Sequence, residues 1–117
     1  MSESVGVGRV YDPATDRDGY RVLVDRLWPR GLSKAKAALD EWCKQVAPSR
    51  ELREWYGHDP ARFPEFCQRY RAELAEPEAA AALAHLRDLA ADRRLTLLTA
   101  TKDVAISGAA VLAEVLG

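Results

Sequence analysis

The chain is poor in the residues that build metal centres and disulfide frameworks, with two cysteines and two histidines in 117 residues. Cys43 and Cys67 form no C-x-x-C pair, and neither stands at ligand spacing from His58 or His85, so no metal site is expected. Two isolated cysteines point to reduced thiols acting as small apolar fillers in a reducing, cytoplasmic setting. Charge of one sign is lacking too: 17 Lys and Arg stand against 18 Asp and Glu, a formal net charge of −1. No global field recruits nucleic acid or a membrane, so any anion binding must come from a local cluster. No apolar run approaches the roughly 20 residues of a membrane span. The opening Met-Ser-Glu-Ser-Val-Gly has neither the basic nor the apolar part of a secretory signal. Glycine-rich phosphate loops are missing, since Gly6 and Gly8 lie at the start of a strand pattern rather than after one. No nucleophile elbow or Ser-His-Asp order is present, and no cofactor is expected.

What is present is an alternation of strand and helix patterns over a length that suits one α/β domain, residues 1–117. Residues 5–11 read as a first, weaker strand, and Asp18-Gly19 as a turn. Residues 20–24 read as a second strand, apolar enough to be buried on both faces. The two could form a hairpin or lie apart. A helical turn after Ser33 and a short strand within residues 41–46 follow. Ser49 with Glu51 marks a helix start carrying Leu52 and Trp55, and Gly57 ends it. Asp59-Pro60 starts another helix, running to about Leu74, whose Phe63, Phe66, Tyr70 and Leu74 form one inward stripe. An Ala-rich helix from Pro77 turns Leu83, Leu86 and Leu89 inward. Residues 95–100 are a strongly apolar strand, and residues 108–116 a closing helix with Val111, Leu112, Val115 and Leu116 inside. The reading is a small sheet of about four strands, at least two of them central and parallel, flanked by helices.

The second and last strands are each followed by a charged loop: Asp25-Arg26-Leu27-Trp28-Pro29-Arg30 in one case, Lys102-Asp103 in the other. If these strands are parallel neighbours, both loops open into one crevice at the carboxyl edge of the sheet, the usual ligand position in open α/β folds. Arg26 and Arg30 suit phosphate or carboxylate, which guanidinium groups bind bidentately, and Lys102 would add a point charge. Arg26 could equally pair with Asp25 and tie the loop down. Asp25 between two arginines is expected to have a lowered pKa, which favours orienting a neighbour over abstracting a proton. Trp28 could stack on a ligand ring or anchor the turn. His58, just ahead of a helix, could titrate near neutral pH or reach an anion, and Asp103 is a further proton-exchange candidate. His85 has no ligand-spaced partner and reads as structural. Tyr70 reads as core, and Arg69 could face the crevice.

Arg9-Val10-Tyr11-Asp12, followed by Asp18-Gly19-Tyr20-Arg21-Val22-Leu23-Val24-Asp25-Arg26-Leu27-Trp28-Pro29-Arg30-Gly31, resembles the YeaO-like family of small bacterial proteins, a domain of unknown function. Leu39-Asp40-Glu41-Trp42, Ala47-Pro48-Ser49, Leu52-Arg53, Phe66, Tyr70 and Leu74 extend the match over nearly the whole chain. The resemblance implies a single α/β domain and names no reaction. Near the end the chain departs from the family pattern: Thr99 and Ala100 stand where relatives have Tyr and Ser, and Ser107 and Gly108 where they have Asn and His. Two functions follow as expectations. The first is a site for a small anionic ligand, phosphate-bearing or nucleotide, at the carboxyl edge. The second is a nucleic-acid or protein interaction module that uses the Arg-Leu-Trp-Pro-Arg loop.

Overall fold

A computed structural model describes residues 5–117 of the chain. It contains four strands, β1 (Val5–Arg9), β2 (Tyr20–Leu23), β3 (Glu41–Trp42) and β4 (Leu95–Thr99). The helices are α1 (Lys34–Ala37), α2 (Arg50–Tyr56), α3 (Phe63–Glu73), α4 (Pro77–Asp92) and α5 (Gly108–Leu116). All strand pairs are parallel, in the order β1-β4-β2-β3. The first two strands therefore form no hairpin. β4 lies between them, with Leu95 in register with Val5 on one side and Tyr20 on the other.

β4 is buried along its whole length, as expected of a central parallel strand covered on both faces. Leu95 and Leu97 join Val22 and Val24 under α2–α5, in a core that includes Phe66, Tyr70, Leu86 and Leu112. Leu98 and Leu23 point the other way, to Val10 and Ala37, where Trp28, Leu32 and Trp42 complete a smaller cluster. The two buried threonines of β4 meet their hydrogen-bonding need by donating outward, Thr96 to the Asp18 carbonyl at 2.6 Å and Thr99 to the Asp25 carboxylate at 2.8 Å. Arg21, 4% exposed, is a structural cation. Its guanidinium ends α1 by donating to the Ala37 and Ala38 carbonyls and pairs with Asp18 at 2.5 Å.

Local chemistry places the helix ends. Ser49 accepts from Leu52 N–H to cap α2, and Gly57, at φ +53°, closes it. Asp59 caps a single 3-10 turn, Pro60–Arg62, that leads into α3. Ser49 also donates to Glu73, which ties the start of α2 to the end of α3. The strand expected within residues 41–46 is shorter than that: after Trp42 the chain enters a 3-10 turn, Lys44–Val46. That turn leaves the carbonyls of Val46, Ala47 and Pro48 pointing at side chains from elsewhere: Tyr70 donates to the first, Arg26 to the other two.

Candidate functional site

β2 and β4 end side by side, and the chain leaving each turns over the carboxyl edge of the sheet. Asp25, just past β2, reaches across to β4. One carboxylate oxygen accepts from Thr99 Oγ1 and the other from the Ala100 N–H, both at 2.8 Å. The following loop is held stiffly. Trp28 Nε1 donates to the Leu32 carbonyl at 2.7 Å, Trp42 Nε1 to the Asp25 carbonyl at 2.7 Å, and Tyr11 Oη to the Arg30 carbonyl at 2.9 Å. Trp28 and Trp42 meet edge to face at 5.3 Å. Gly31, at φ +74°, supplies the left-handed residue that closes the loop.

Between this loop, α2 and the start of α5 lies a cleft of about 470 Å³. Asp25, Arg26, Trp28 and Arg30 line it from the loop, with His58 from the far side. Arg53, Thr99 and Ser107 also line it. Lys102 and Asp103 are exposed and do not contribute to its walls. Asp25 draws the Ala100 N–H inward, Thr101 still lines the cleft, and the chain leaves its wall at Lys102. Arg69 lines a second hollow beside α2 and α3 rather than this one; it stacks on Trp55 at 4.2 Å and pairs with Glu65.

The cations at the cleft differ in how much of their hydrogen-bonding capacity is spent. Arg26 donates from Nη2 to the Ala47 carbonyl at 3.1 Å and from Nε to the Pro48 carbonyl at 3.3 Å. It braces the loop against the turn that precedes α2. Arg30 is exposed, and its guanidinium has no ion pair or hydrogen bond among the described residues. Arg53 carries a buried Nε with no partner, a costly state for a polar atom unless something occupies the space beside it. Arg53 has no signal in the sequence beyond its spacing: Leu52 and Tyr56 mark the inward side of α2, and Arg53 sits at its margin. At the end of the cleft, Ser107 caps α5 by accepting from the Ala110 N–H at 3.2 Å, so the positive end of that helix faces the same space.

Asp25 behaves differently from a carboxylate clamped between arginines. Burial pushes its pKa up, and the Ala100 N–H, the Thr99 hydroxyl and the charges of Arg53 and His58 pull it back only in part. The lowering expected from two adjacent guanidinium groups does not arise, because Arg26 turns toward Ala47 and Pro48. Tyr56 in the cleft floor donates to the Ile106 carbonyl at 2.6 Å, and burial first, with Cys67 and Asp103 adding, pushes its hydroxyl up to about 12. Cys43 is buried and free, its thiol pushed up to about 11 chiefly by burial, and Cys67 is half-buried and free. His85 approaches Glu41 at 2.9 Å on the outer side of the sheet, away from the cleft. Among the described residues no three His, Cys, Asp or Glu side chains are grouped to hold a metal ion, and no helix is long and apolar enough to cross a membrane.

Thr99, Ala100, Ser107 and Gly108 all line this cleft. Known proteins match over almost the full length. An uncharacterised protein of Mycobacterium tuberculosis is 54% identical over 112 residues, covering 96% of this chain and 92% of the relative. A counterpart in Mycobacterium bovis matches to the same extent. The uncharacterised protein YeaO of Escherichia coli is 47% identical over 106 residues, 91% of this chain and 90% of that one. No solved structure matches the chain. The family model that matches, over residues 4–117, is described as the inactive DUF488-N3 subclade. The chain therefore belongs to the YeaO-like proteins of the DUF488-N3 family, in the subclade described as inactive.

Proposed function

We propose that the carboxyl-edge cleft binds a small ligand bearing a phosphate or comparable anionic group, a nucleotide being one such ligand. The observation that carries this reading is the pair of unspent guanidinium groups. Among the described residues Arg30 has no side-chain partner and Arg53 has an orphaned buried Nε, and both face a cleft that the amino end of α5 also faces. Arg26 and Trp28 frame the site and fix the loop, so that the backbone carrying Arg30 is already in place before a ligand binds. Asp25 and His58 line the same cleft and would orient the ligand. Binding accounts for the site better than turnover. The Ser107 hydroxyl is committed to the Val104 carbonyl at 2.7 Å, the buried Cys43 thiol is pushed up to about 11 by burial, and the description of the subclade as inactive agrees.

A second reading has its own observation. Leu27, in the same loop, is 65% exposed next to Arg26 and close to Arg30, which suits a loop that touches an acidic or nucleic-acid partner. Thermal unfolding in phosphate, nucleotides, sugar phosphates and a short single-stranded oligonucleotide, at low and high salt, separates the two. Stabilisation by a small anion that survives salt and is lost in both Arg30→Ala and Arg53→Ala is the expected result. A shift given by the oligonucleotide alone, and removed by salt, would favour the interaction loop. No shift with any anion overturns the anion site.

A further inference from the structure

We infer that the ligand of this cleft is an amphipathic anion, an anionic group carried on an apolar or aromatic body, and not a bare inorganic ion. The inference rests on the anion-site reading above and narrows it to a ligand class. Among the described residues, the large apolar side chains left exposed are Leu27, at 65%, and Tyr11, at 39%. Both line the cleft that holds Arg30 and Arg53.

Their exposure is built in. Leu27 lies between Arg26, anchored to the Ala47 and Pro48 carbonyls, and Trp28, anchored to the Leu32 carbonyl, so it cannot fold back onto the smaller core cluster. The Tyr11 ring is fixed at both ends: its hydroxyl donates to the Arg30 carbonyl, and the Arg9 guanidinium lies 5.0 Å from its centroid. A loop stiffened in this way holds apolar surface in water without gaining anything from it in the empty protein. The same hydrogen bond sets Tyr11 beside Arg30, so an apolar wall and an unpaired cation share one lip. Deeper in, Arg53, Thr99 and the start of α5 take the polar end, above a floor that includes Tyr56 and Phe66. A volume of about 470 Å³ is far more than a single phosphate fills and suits a molecule with one ring or a short chain.

The test compares inorganic phosphate, phenyl phosphate and a nucleoside monophosphate by calorimetry, on the wild-type chain and on Leu27→Ser and Tyr11→Phe. Phenyl phosphate should bind about tenfold or more tightly than inorganic phosphate, the effect of covering roughly 60 Å² of apolar surface. Leu27→Ser should remove most of that advantage and leave inorganic phosphate unchanged. Tyr11→Phe keeps the ring but loses the hydrogen bond that sets it beside Arg30, so it should lower the preference for phenyl over inorganic phosphate by less than Leu27→Ser does. Leu27 is exposed, so its variant folds and the comparison stays readable. Equal affinity for phosphate and phenyl phosphate overturns the inference and leaves the anion site standing. An advantage that survives Leu27→Ser also overturns it, because the apolar body would then sit elsewhere. Binding of none of the three removes the anion site and this inference together.

Discussion

Asp25→Asn tests the electrostatics of the cleft most directly. Asp25 has its pKa raised, first by burial, against the opposing pull of the Ala100 N–H, the Thr99 hydroxyl, Arg53 and His58. For a carboxyl group raised in the folded state, the stability it contributes is complete below the ordinary carboxylate pKa of about 3.9 and is lost as pH rises through the folded value. Each unit of elevation is worth about 1.4 kcal/mol of stability lost by neutral pH. Asparagine removes that dependence. It also replaces two charge-assisted hydrogen bonds by neutral ones, with its carbonyl still able to accept from Ala100 N–H and its amide able to donate to Thr99 Oγ1. That exchange costs about 1 kcal/mol at every pH where the carboxylate would be ionised. The expected outcome is a variant within about 1 kcal/mol of wild type at pH 7, and relatively less stable at pH 4. Thermal or denaturant unfolding of both proteins between pH 4 and pH 7.5 reads the difference, at about 3–5 °C in Tm per kcal/mol for a chain of this size. If the two stability curves run parallel, or if wild type gains on the variant as pH rises, Asp25 is not raised and the account of the cleft fails. The same variant should bind phosphate more tightly at neutral pH, because a negative charge beside Arg53 has been removed.

Other positions give sharper contrasts in stability. Gly19 has φ +65°, and a Cβ there would lie 2.4 Å from the Arg94 carbonyl oxygen that receives the Tyr20 N–H, so Gly19→Ala should cost at least about 2 kcal/mol in denaturant unfolding. Gly31→Ala, at φ +74° but with open space around it, should cost only about 1 kcal/mol. Tyr70→Phe strands the buried Val46 carbonyl and should cost about 1–3 kcal/mol, with a volume change too small to confuse the result. Arg26→Met should lose about 1.5–3 kcal/mol of stability by freeing the Ala47 and Pro48 carbonyls. It should weaken phosphate binding much less than Arg30→Ala, and the reverse order would make Arg26 the principal anion ligand.

The helix ends were legible because capping is local: Ser49, Gly57 and Asp59 each act within three or four residues of themselves. The type of β2 and β4, and their central parallel setting, followed from apolar runs that only a two-sided burial explains, whereas their adjacency stood as a condition that the pairing of Tyr20 with Leu95 meets. Strand order was not available that way. β1 is separated from β2 by a strand more than seventy residues later in the chain, and no local pattern of the first two strands records the insertion.

The site shows the same division at the level of single side chains. A sequence displays arginines but not the carbonyls they will meet. Arg26 stands in the same loop as Arg30 and looks equally suited to an anion, and Arg21 lies a few residues earlier in the strand. Arg21 is consumed by the end of α1, and Arg26 by a turn some twenty residues further on. Arg30 is left over because Gly31 and the Trp28 anchor hold its backbone while no described residue bonds its guanidinium. Arg53 joins it through a helix whose cap, Ser49, is pinned to Glu73. What makes a cation available to a ligand is therefore the set of donors that folding leaves unspent, and at this cleft, among the described residues, that set is Arg30 and Arg53. Arg26 and Trp28 hold the loop that carries the first, and the Ser49–Glu73 contact holds the helix that carries the second.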